Sequence, residues 1–346
     1  MSIFSGGQND FFGLDIGTTA LRVVQLKTTK DKKELIHYGQ LAMVNADEPK
    51  TPEAVKQLGQ AINKLLASSD ITSKTVAVNL PSSKVFTTVV DMERLNPDEL
   101  AKSITYQAES FIPTPIASSK IDWVVAGDSP KDAKKIEVLL SSVENSYAEA
   151  RLKAVEAAGL DVIAFEPDSL ALARALLSNE LNVPQMVLDI GYLSTDLVIC
   201  LNGVPRLARA IQIGSESIVR AAIQNLKIQP DQAHQYVYQY GLNRDNLDGK
   251  LYNAIIGTVD SLVAEIDKSI KFFASRYNGA ALGRIVLTGG ASSLPLFPVY
   301  VANKFNINVE IGNSWRHVSY PASKQNELLS VSNHFAVAAG LAEREL

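Results

Sequence analysis

One short pattern occurs twice in this sequence and restricts its fold more than any other feature. Residues 13–19 read Gly-Leu-Asp-Ile-Gly-Thr-Thr before an apolar run, and residues 187–191 read Val-Leu-Asp-Ile-Gly before Ser194, Thr195 and a second apolar run. Each copy predicts a strand, a tight turn opened by glycine, and a second strand. The 346 residues also suit two domains of about 150 residues each. The repeat therefore predicts two related halves, each containing a β-hairpin.

The turns of these hairpins have the chemistry of a phosphate site. A glycine-containing turn exposes backbone N–H groups to phosphate oxygens, threonine hydroxyls add donors, and an aspartate holds Mg²⁺ through its waters. A single copy of this pattern is more often a buried strand that ends in a turn than a phosphate site. Because both stand at corresponding points of two halves, the pair favours a clamp around one nucleotide polyphosphate.

Composition and missing motifs exclude several classes of protein. Hydrophobic residues make up 46% of the chain and charged residues 20%, which is typical of a globular protein with a large core. The net charge of −4 provides no basic field, so we expect no nucleic-acid ligand. The P-loop, Rossmann, zinc-protease and serine-hydrolase motifs are all missing from the sequence.

The cysteine content and the N-terminal segment bear on location. Cys200, the one cysteine of the sequence, lies in an apolar run, so we expect a buried small side chain and no internal disulfide. Residues 1–13 lack a basic region before an apolar stretch, and no window reaches the roughly 20 apolar residues of a spanning helix. We expect a cytoplasmic protein whose membrane contact comes only through partners.

Hydrophobic periodicity predicts the elements between the two hairpins. Residues 53–67 have helical spacing, and residues 75–80 form an apolar strand. Residues 85–165 then predict the order β-α-β-β-α-β, with Asn96 as the N-cap of a helix over 97–111. That order is typical of a split βαβ subdomain inserted within the first half.

Three further features follow the second hairpin. A helix is predicted to begin at Gly214, and residues 250–277 predict a long amphipathic helix whose apolar face is core. A strand over 284–288 leads into Gly289 and Gly290. Because these glycines have no side chains, the turn after this strand admits a flat adenine or an α-phosphate.

The two hairpins and the glycine turn, in this order, resemble the phosphate-1, phosphate-2 and adenosine motifs of the actin, Hsp70 and FtsA superfamily. The inserted β-α-β-β-α-β order is similar to that of FtsA-like proteins. Within that group the chain resembles the PilM family of type IV pilus assembly proteins. The matching segments are residues 14–26, 107–113, 157–160, 171–174, 269–273 and 285–290.

The resemblance implies an α/β fold that is a duplicated actin-like, ribonuclease H-like architecture of FtsA type. It implies four subdomains. Their boundaries are 1–83 plus 165–182 for subdomain 1A, 84–164 for the inserted subdomain 1C, 183–226 plus 283–346 for 2A, and 227–282 for a helical 2B.

The resemblance also implies ATP and Mg²⁺ as cofactors. By position, Asp15 and Asp189 are expected near magnesium, through water. Arg22 replaces the lysine that commonly reaches phosphate in these proteins, which keeps the charge and changes its geometry. The residues expected to bind the phosphates or the nucleoside are Gly17, Thr18, Thr19, Arg22, Asp15, Asp189, Gly191, Gly214, Glu265, Lys268, Gly289 and Gly290.

The sequence supports ATP hydrolysis less well than it supports ATP binding. Glu166 matches the acid that orients water in active relatives, and Asp168 competes with it because the local register is ambiguous. The second turn carries Tyr192 and Leu193 where active Hsp70-like enzymes are glycine-rich. Phosphoryl transfer needs more accurate positioning than binding, so we expect ATP hydrolysis to be weak or absent.

The implied partner is the cytoplasmic N-terminal segment of a PilN-like inner-membrane protein. Other pilus assembly proteins and self-association are further contacts that the resemblance allows, and they place the chain at the inner face of the cytoplasmic membrane. Two alternatives stay open. An FtsA-like cell-division protein usually has an amphipathic C-terminal tail, which residues 340–346 do not resemble, and a kinase of the same superfamily needs a catalytic base that we cannot identify in the sequence.

Overall fold

The computed structural model describes residues 11–29, 32–43, 49, 51–178 and 183–345. Most of the N-terminal segment considered above, residues 1–10, lies outside these ranges. The strands are, in chain order, β1 (Phe11–Ile16), β2 (Ala20–Thr29), β3 (Lys32–Ala42), β4 (Thr75–Leu80), β5 (Val85–Glu93), β6 (Ser119–Asp128), β7 (Lys135–Glu144), β8 (Asp161–Pro167), β9 (Gln185–Ile190), β10 (Thr195–Leu201), β11 (Val204–Ile211), β12 (Arg284–Thr288), β13 (Asn308–Ile311) and β14 (Val318–Ser319). The α-helices are α1 (Pro52–Ser68), α2 (Pro97–Phe111), α3 (Asn145–Glu156), α4 (Asp168–Leu176), α5 (Ser215–Leu226), α6 (Pro230–Tyr240), α7 (Lys250–Arg276), α8 (Phe297–Phe305), α9 (Gln325–Val331) and α10 (Ala336–Ala342).

Contacts divide the chain into two units. Unit 1 takes its described residues from Met1–Lys84, Glu144–Leu176 and Asn313–Leu346, and unit 2 from Val85–Val143 and Leu177–Gly312. Each unit contains one of the repeated hairpins.

Unit 1 is built on a six-stranded mixed sheet with the order β14-β3-β2-β1-β4-β8. β1 is antiparallel to β2 and parallel to β4, and β4 is parallel to β8. Leu58, Ile62 and Leu65 recur at helical spacing on α1, so one face of the helix is apolar. That face packs into a core with residues of β1, β4 and α3.

Unit 2 is built on a five-stranded sheet with the order β11-β10-β9-β12-β13. The apolar face of α7 predicted over 250–277 is confirmed, because Ile255, Val259 and Ile266 of this helix are fully buried. They share one core with the sheet, α5 and α6. Cys200 is buried in β10, as predicted.

The inserted segment forms its own small sheet within unit 2. β5, β7 and β6 pair in that order, and α2 packs on them. α2 has the predicted bounds, and the side chain of its N-cap Asn96 accepts from Glu99 N at 3.0 Å, so the predicted cap is confirmed.

The order β-α-β-β-α-β is present, but its last two elements do not belong to the inserted sheet. β8 extends the sheet of unit 1 by parallel pairing with β4, with Asn79 opposite Glu166. α3 supplies Val155 and other side chains to the core of unit 1. The physical reason is that β4 and β8 are parallel and α3 lies between β7 and β8 in the chain, so α3 completes a crossover back to the first sheet.

Candidate functional site

The two repeated hairpins have the same cross-strand register. In β1–β2, Asp15 lies directly opposite Arg22. In β9–β10, Asp189 lies directly opposite Asp196, at the same separation along the chain. The predicted repeat is therefore a structural one, and the residue that faces the aspartate is a cation in one copy and a second carboxylate in the other.

The turns of the two hairpins close in the same way. Gly17 N donates to Ala20 O at 3.1 Å, and Gly191 N donates to Ser194 O at 3.0 Å. A Cβ at Gly17 would lie 3.2 Å from Ala20 O, and one at Gly191 would lie 3.0 Å from Ser194 O. Both glycines thus allow a close approach of backbone across a two-residue turn.

The first turn has a buried carboxylate beside a partly satisfied cation. Asp15 is buried, and Arg22 Nη1 lies 3.4 Å from its Oδ2. Burial raises the pKa of Asp15, and the nearby charges of Arg22 and Arg151 oppose that rise in part. Among the described residues, the buried Nε of Arg22 has no hydrogen-bond partner. Gly17 and Thr18 are half-buried and Thr19 is exposed.

Sequence reasoning did not identify the buried cation that lies next to this turn. Arg151 of α3 is fully buried, and its Nη2 donates to Ile16 O and to Asn79 Oδ1, each at 2.7 Å. Asn79 Oδ1 also accepts from Ile16 N at 2.8 Å. Two signals were available in the sequence. Asn79 is the penultimate residue of the largely apolar strand β4, and Arg151 occupies a position on the apolar stripe of its helix with Ala148 and Val155.

The two candidate acids, Glu166 and Asp168, have different partners in unit 1. Asp168 is buried, and its Oδ1 accepts from Asn79 Nδ2 at 2.9 Å, so it belongs to the same network as the end of β1. Glu166 is also buried, but Arg174 Nη2 donates to its Oε1 at 2.6 Å and Arg344 Nη1 to its Oε2 at 2.5 Å. Each carboxylate oxygen of Glu166 therefore already accepts a hydrogen bond from an arginine.

In unit 2, Asp189 lies against the predicted adenosine turn. Thr288, the last residue of β12, is paired with Asp189 in the parallel β9–β12 ladder. Gly289 follows with φ +84°, and a Cβ there would lie 2.2 Å from Asp189 Oδ1. Ala291 N donates to Ile190 O at 3.2 Å. The structure therefore brings Asp189 and the Gly289-Gly290 turn together, and only glycine fits at residue 289.

Gly214 is in contact with the turn of the second hairpin. A Cβ at Gly214 would lie 2.4 Å from Tyr192 O, and Ser215 N donates to Gly191 O at 2.9 Å. The first N–H groups of α5 therefore bind the turn itself. Tyr192 and Leu193 are 44% and 49% exposed, so their bulky side chains point away from the core of the unit.

Glu265 and Lys268 pair with each other and with an arginine of β11. Lys268 Nζ donates to Glu265 Oε1 at 2.6 Å, and Arg209 Nη2 donates to Glu265 Oε2 at 2.6 Å. These hydrogen bonds lower the pKa of Glu265. The two residues predicted to contact a nucleoside thus belong to an ionic cluster on α7 and β11.

The described residues contain neither a cluster of metal ligands nor a membrane-spanning helix. No group of three or more His, Cys, Asp or Glu side chains in these ranges is arranged to hold a metal ion. Within the same ranges, no helix is both long enough and apolar enough to cross a membrane.

A family model described as type IV pilus assembly protein PilM matches residues 13–346. The chain belongs to this family. The match covers both repeated hairpins, the inserted segment and the glycine turn. The PilM resemblance drawn from six short segments is confirmed.

Solved structures show the fold of this PilM-family chain. A structure described as a PilM-PilN type IV pilus biogenesis complex aligns with a TM-score of 0.84 at 22% identity, over 97% of this chain and 98% of that chain. MreB5 of Spiroplasma citri bound to AMPPNP aligns with a TM-score of 0.55 at 13% identity, over 95% of this chain and 94% of that chain. The predicted actin-like α/β fold is confirmed.

A curated relative comes from another branch of the same superfamily. The cell division protein FtsA of Bacillus subtilis (strain 168) is 23% identical over 333 residues, which span 82% of this chain and 74% of the relative. The predicted likeness to FtsA is confirmed, within a chain whose own family is PilM.

Proposed function

We propose that this PilM-family chain is an ATP-binding scaffold of type IV pilus assembly that captures a short cytoplasmic peptide of a PilN-like inner-membrane protein. The ATP-binding part of this proposal rests on one observation. The two glycine turns have the same cross-strand register and close with the same hydrogen bond, and each follows a strand with an aspartate at its end. Turns of this kind present backbone donors to phosphate oxygens.

Each turn, taken by itself, has residues whose chemistry suits phosphate or magnesium. The buried Nε of Arg22 has no hydrogen-bond partner among the described residues, and a phosphate oxygen would supply one. Gly289 lets the backbone of its turn approach Asp189 so closely that a Cβ there would lie 2.2 Å from Asp189 Oδ1. Magnesium supplies charge neutralisation of the phosphates, and Asp15 and Asp189 are the carboxylates that we propose to hold its waters. MreB5, with the same fold, is a relative bound to AMPPNP.

The proposal also assigns roles to the other residues that the sequence predicts at this site. The residues that we propose to bind the phosphates and the nucleoside are Gly17, Thr18, Thr19, Gly191, Gly214 and Gly290. We propose Asp168 over Glu166 as the acid nearest to the reacting phosphate, because Asn79 links Asp168 to the end of β1. Glu265 and Lys268 are less well supported as nucleoside ligands, since both carboxylate oxygens of Glu265 already accept from cations.

Binding is better supported than hydrolysis. Glu166 holds Arg174 and Arg344 through both of its oxygens, and Asp168 accepts from Asn79. An acid that orients water must have an oxygen available to it. We therefore propose slow or absent turnover, with nucleotide acting as a ligand that stabilises the fold.

Thermal unfolding tests the nucleotide half of the proposal. Millimolar MgATP is expected to raise the Tm of the wild-type chain, because a ligand that binds only the folded state stabilises it. Asp15→Asn should abolish the shift, since the isosteric amide keeps the packing and removes the charge. Asp98→Asn, at an exposed position in the first turn of α2, is the matched control and should keep the full shift. An unchanged Tm of the wild type in MgATP would contradict nucleotide binding.

Calorimetric titration tests the partner half. The probe is a synthetic peptide with the sequence of the cytoplasmic N-terminal segment of a PilN-like protein from the same organism, and the control is a scrambled peptide of the same composition. We expect saturable binding of the native peptide only. Heat of binding that is absent both with and without MgATP would contradict a PilN-like partner, and an affinity that changes with MgATP would show coupling between the two ligands.

A further inference from the structure

In unit 1, side chains hold the backbone of the residue that precedes the first turn glycine. The ladder between β1 and β4 ends with Leu14 opposite Val78, two residues before Ile16. Ile16 N donates to Asn79 Oδ1 at 2.8 Å, and Ile16 O accepts from Arg151 Nη2 at 2.7 Å. The N–H and C=O of one strand residue point to the same side of the strand. The side chains of Asn79 and Arg151 thus take the place of the β4 backbone at the end of β1.

In unit 2, the corresponding residue of the second hairpin is held by backbone. Ile190 directly precedes the turn glycine, as Ile16 does in the first copy. The parallel ladder of β9 and β12 extends as far as Asp189 opposite Thr288, and Ala291 N then donates to Ile190 O at 3.2 Å. The carbonyl before the turn glycine is therefore anchored in both copies. A main-chain N–H anchors it in one copy, and a buried guanidinium does so in the other.

Arg151 holds this carbonyl from a fixed position. The arginine is fully buried in α3, and the nitrogen that donates to Ile16 O also donates to Asn79 Oδ1 at 2.7 Å. Its Nη1 donates to the hydroxyl of Tyr147, one helical turn earlier, at 2.9 Å. Because Asn79 Oδ1 also accepts from Ile16 N, the three residues form a closed ring of hydrogen bonds. Both peptide groups that flank Ile16 are thus fixed relative to α3 and β4.

Core packing alone does not require an arginine at this position. The other buried residues of α3 are Ala148, Ala154 and Val155. Burial of a charged group costs free energy, and an apolar side chain of similar volume in its place is often as stable or more stable. What the guanidinium adds is directional: it supplies the donors that hold the carbonyl of Ile16 and the side chain of Asn79.

We infer that Arg151 is a positioning residue of the first turn. It acts through the backbone of Ile16 and fixes the direction of the N–H groups of residues 17–19 toward a phosphate. Asp15 precedes Ile16 and Gly17 follows it, so a shift of Ile16 would move both a proposed magnesium carboxylate and the phosphate donors. Small displacements of binding groups strongly weaken the interactions that depend on them. The inference rests on the proposed function for its ligand, a nucleoside polyphosphate with magnesium.

Hydrogen exchange of the full chain without nucleotide tests the ordering of the turn. Arg151→Met keeps a long side chain and removes the donors. We expect the amides of residues 16–20 to exchange about tenfold faster than in the wild type, because hydrogen bonds from a charged donor are lost. The amides of residues 190–194, whose anchor is backbone, should keep their wild-type rates and serve as the internal control.

Calorimetric titration with MgATP tests the effect on the ligand. Arg151→Met should weaken binding about tenfold, and Arg151→Lys, which keeps the charge and loses the planar fork, should weaken it about threefold. Val155→Ala is the matched control, because Val155 is fully buried on the same helix and in the same core. It should lower the Tm and keep the wild-type Kd for MgATP. A loss of affinity that does not follow the loss of Tm is a result that a merely structural arginine would not give.

Two results would overturn the inference. One is exchange at residues 16–20 that rises no more in Arg151→Met than in Val155→Ala, and the other is a wild-type Kd for MgATP in Arg151→Met. If Arg151→Met does not fold, Arg151→Lys takes its place in both measurements, with the same two outcomes. A wild-type chain that does not bind MgATP would contradict the nucleotide proposal. Faster exchange of the turn in Arg151→Met would then still support Arg151 as the residue that orders it.

Discussion

The carboxylate of Asp15 lies 3.4 Å from the guanidinium of its direct cross-strand neighbour, Arg22. Burial raises the pKa of Asp15, and Arg22 opposes that rise. Arg22→Gln should therefore lower the free energy of unfolding by about 1–3 kcal/mol at neutral pH. The loss should shrink as the pH falls to about 4, because the raised pKa of Asp15 leaves its folded-state carboxyl increasingly protonated and less dependent on the cation. Urea unfolding at the two pH values measures this, and Arg22→Lys, which keeps the charge, should lose less. An equal loss at both pH values would show that packing alone matters.

Glu166 is predicted to act in stability and not in nucleotide binding. Glu166 is buried, whereas the side chains of its partners Arg174 and Arg344 are 30% and 34% exposed, so loss of its charge should cost about 1–3 kcal/mol. Glu166→Gln should therefore lower the Tm strongly and still show the wild-type increment with MgATP. Glu156→Gln, an exposed carboxylate at the end of α3, is the control and should change the stability by less than about 0.5 kcal/mol. Loss of the MgATP increment in Glu166→Gln would assign this acid to the nucleotide site.

Features that depend on neighbouring residues could be predicted from the sequence. The bounds of α2 and β4 are as predicted, and Asn96 caps α2, because a cap and a helical stripe are local patterns. The repeated hairpins were also predictable, since Asp15 and Asp189 stand at the same place in two matching segments. Their turns close with the same hydrogen bond.

Features that depend on distant residues could not be predicted in the same way. The pairing of β8 with β4 joins segments separated by about 85 residues, and no local pattern specifies it. Likewise, Glu265 was expected at a nucleoside, but its partner Arg209 lies 56 residues earlier in the chain. Arg151 is buried although arginine is mostly exposed in proteins, because Ile16 O and Asn79 accept its hydrogen bonds.

Replacement of glycine by alanine should have opposite effects on the free energy of unfolding at residues 340 and 257. A Cβ at Gly340 would lie 2.0 Å from Ala171 O, where α10 packs on α4, whereas a Cβ at Gly257 in α7 meets nothing within 4 Å. Gly340→Ala should therefore lower the free energy of unfolding by more than about 1 kcal/mol, since the two helices must separate. Gly257→Ala should raise it by about 0.5–1 kcal/mol through helix propensity. Chemical denaturation of both variants checks the prediction, which fails if both shift stability in the same direction.

The buried carboxyl of Glu343 should make the free energy of unfolding depend on pH. It is 2% exposed, its Oε1 has no hydrogen-bond partner among the described residues, and burial raises its pKa to about 7, although Lys33, Arg174 and Arg316 oppose the rise. Between its ordinary pKa and about 7, the folded state keeps the proton that the unfolded state has lost. Stability should therefore fall across this window, by about 2–4 kcal/mol in total, and level off above it.

Glu343→Gln should remove this component of the pH dependence, because the amide does not titrate. The variant should be more stable than the wild type at pH 8, with the difference vanishing near pH 4.5. Glu345→Gln, at an exposed position two residues later, is the control and should keep the wild-type slope. Urea unfolding at half-unit steps from pH 4.5 to 8 gives both curves. If the slopes of Glu343→Gln and the wild type coincide, other groups cause the pH dependence and Glu343 does not titrate in this range.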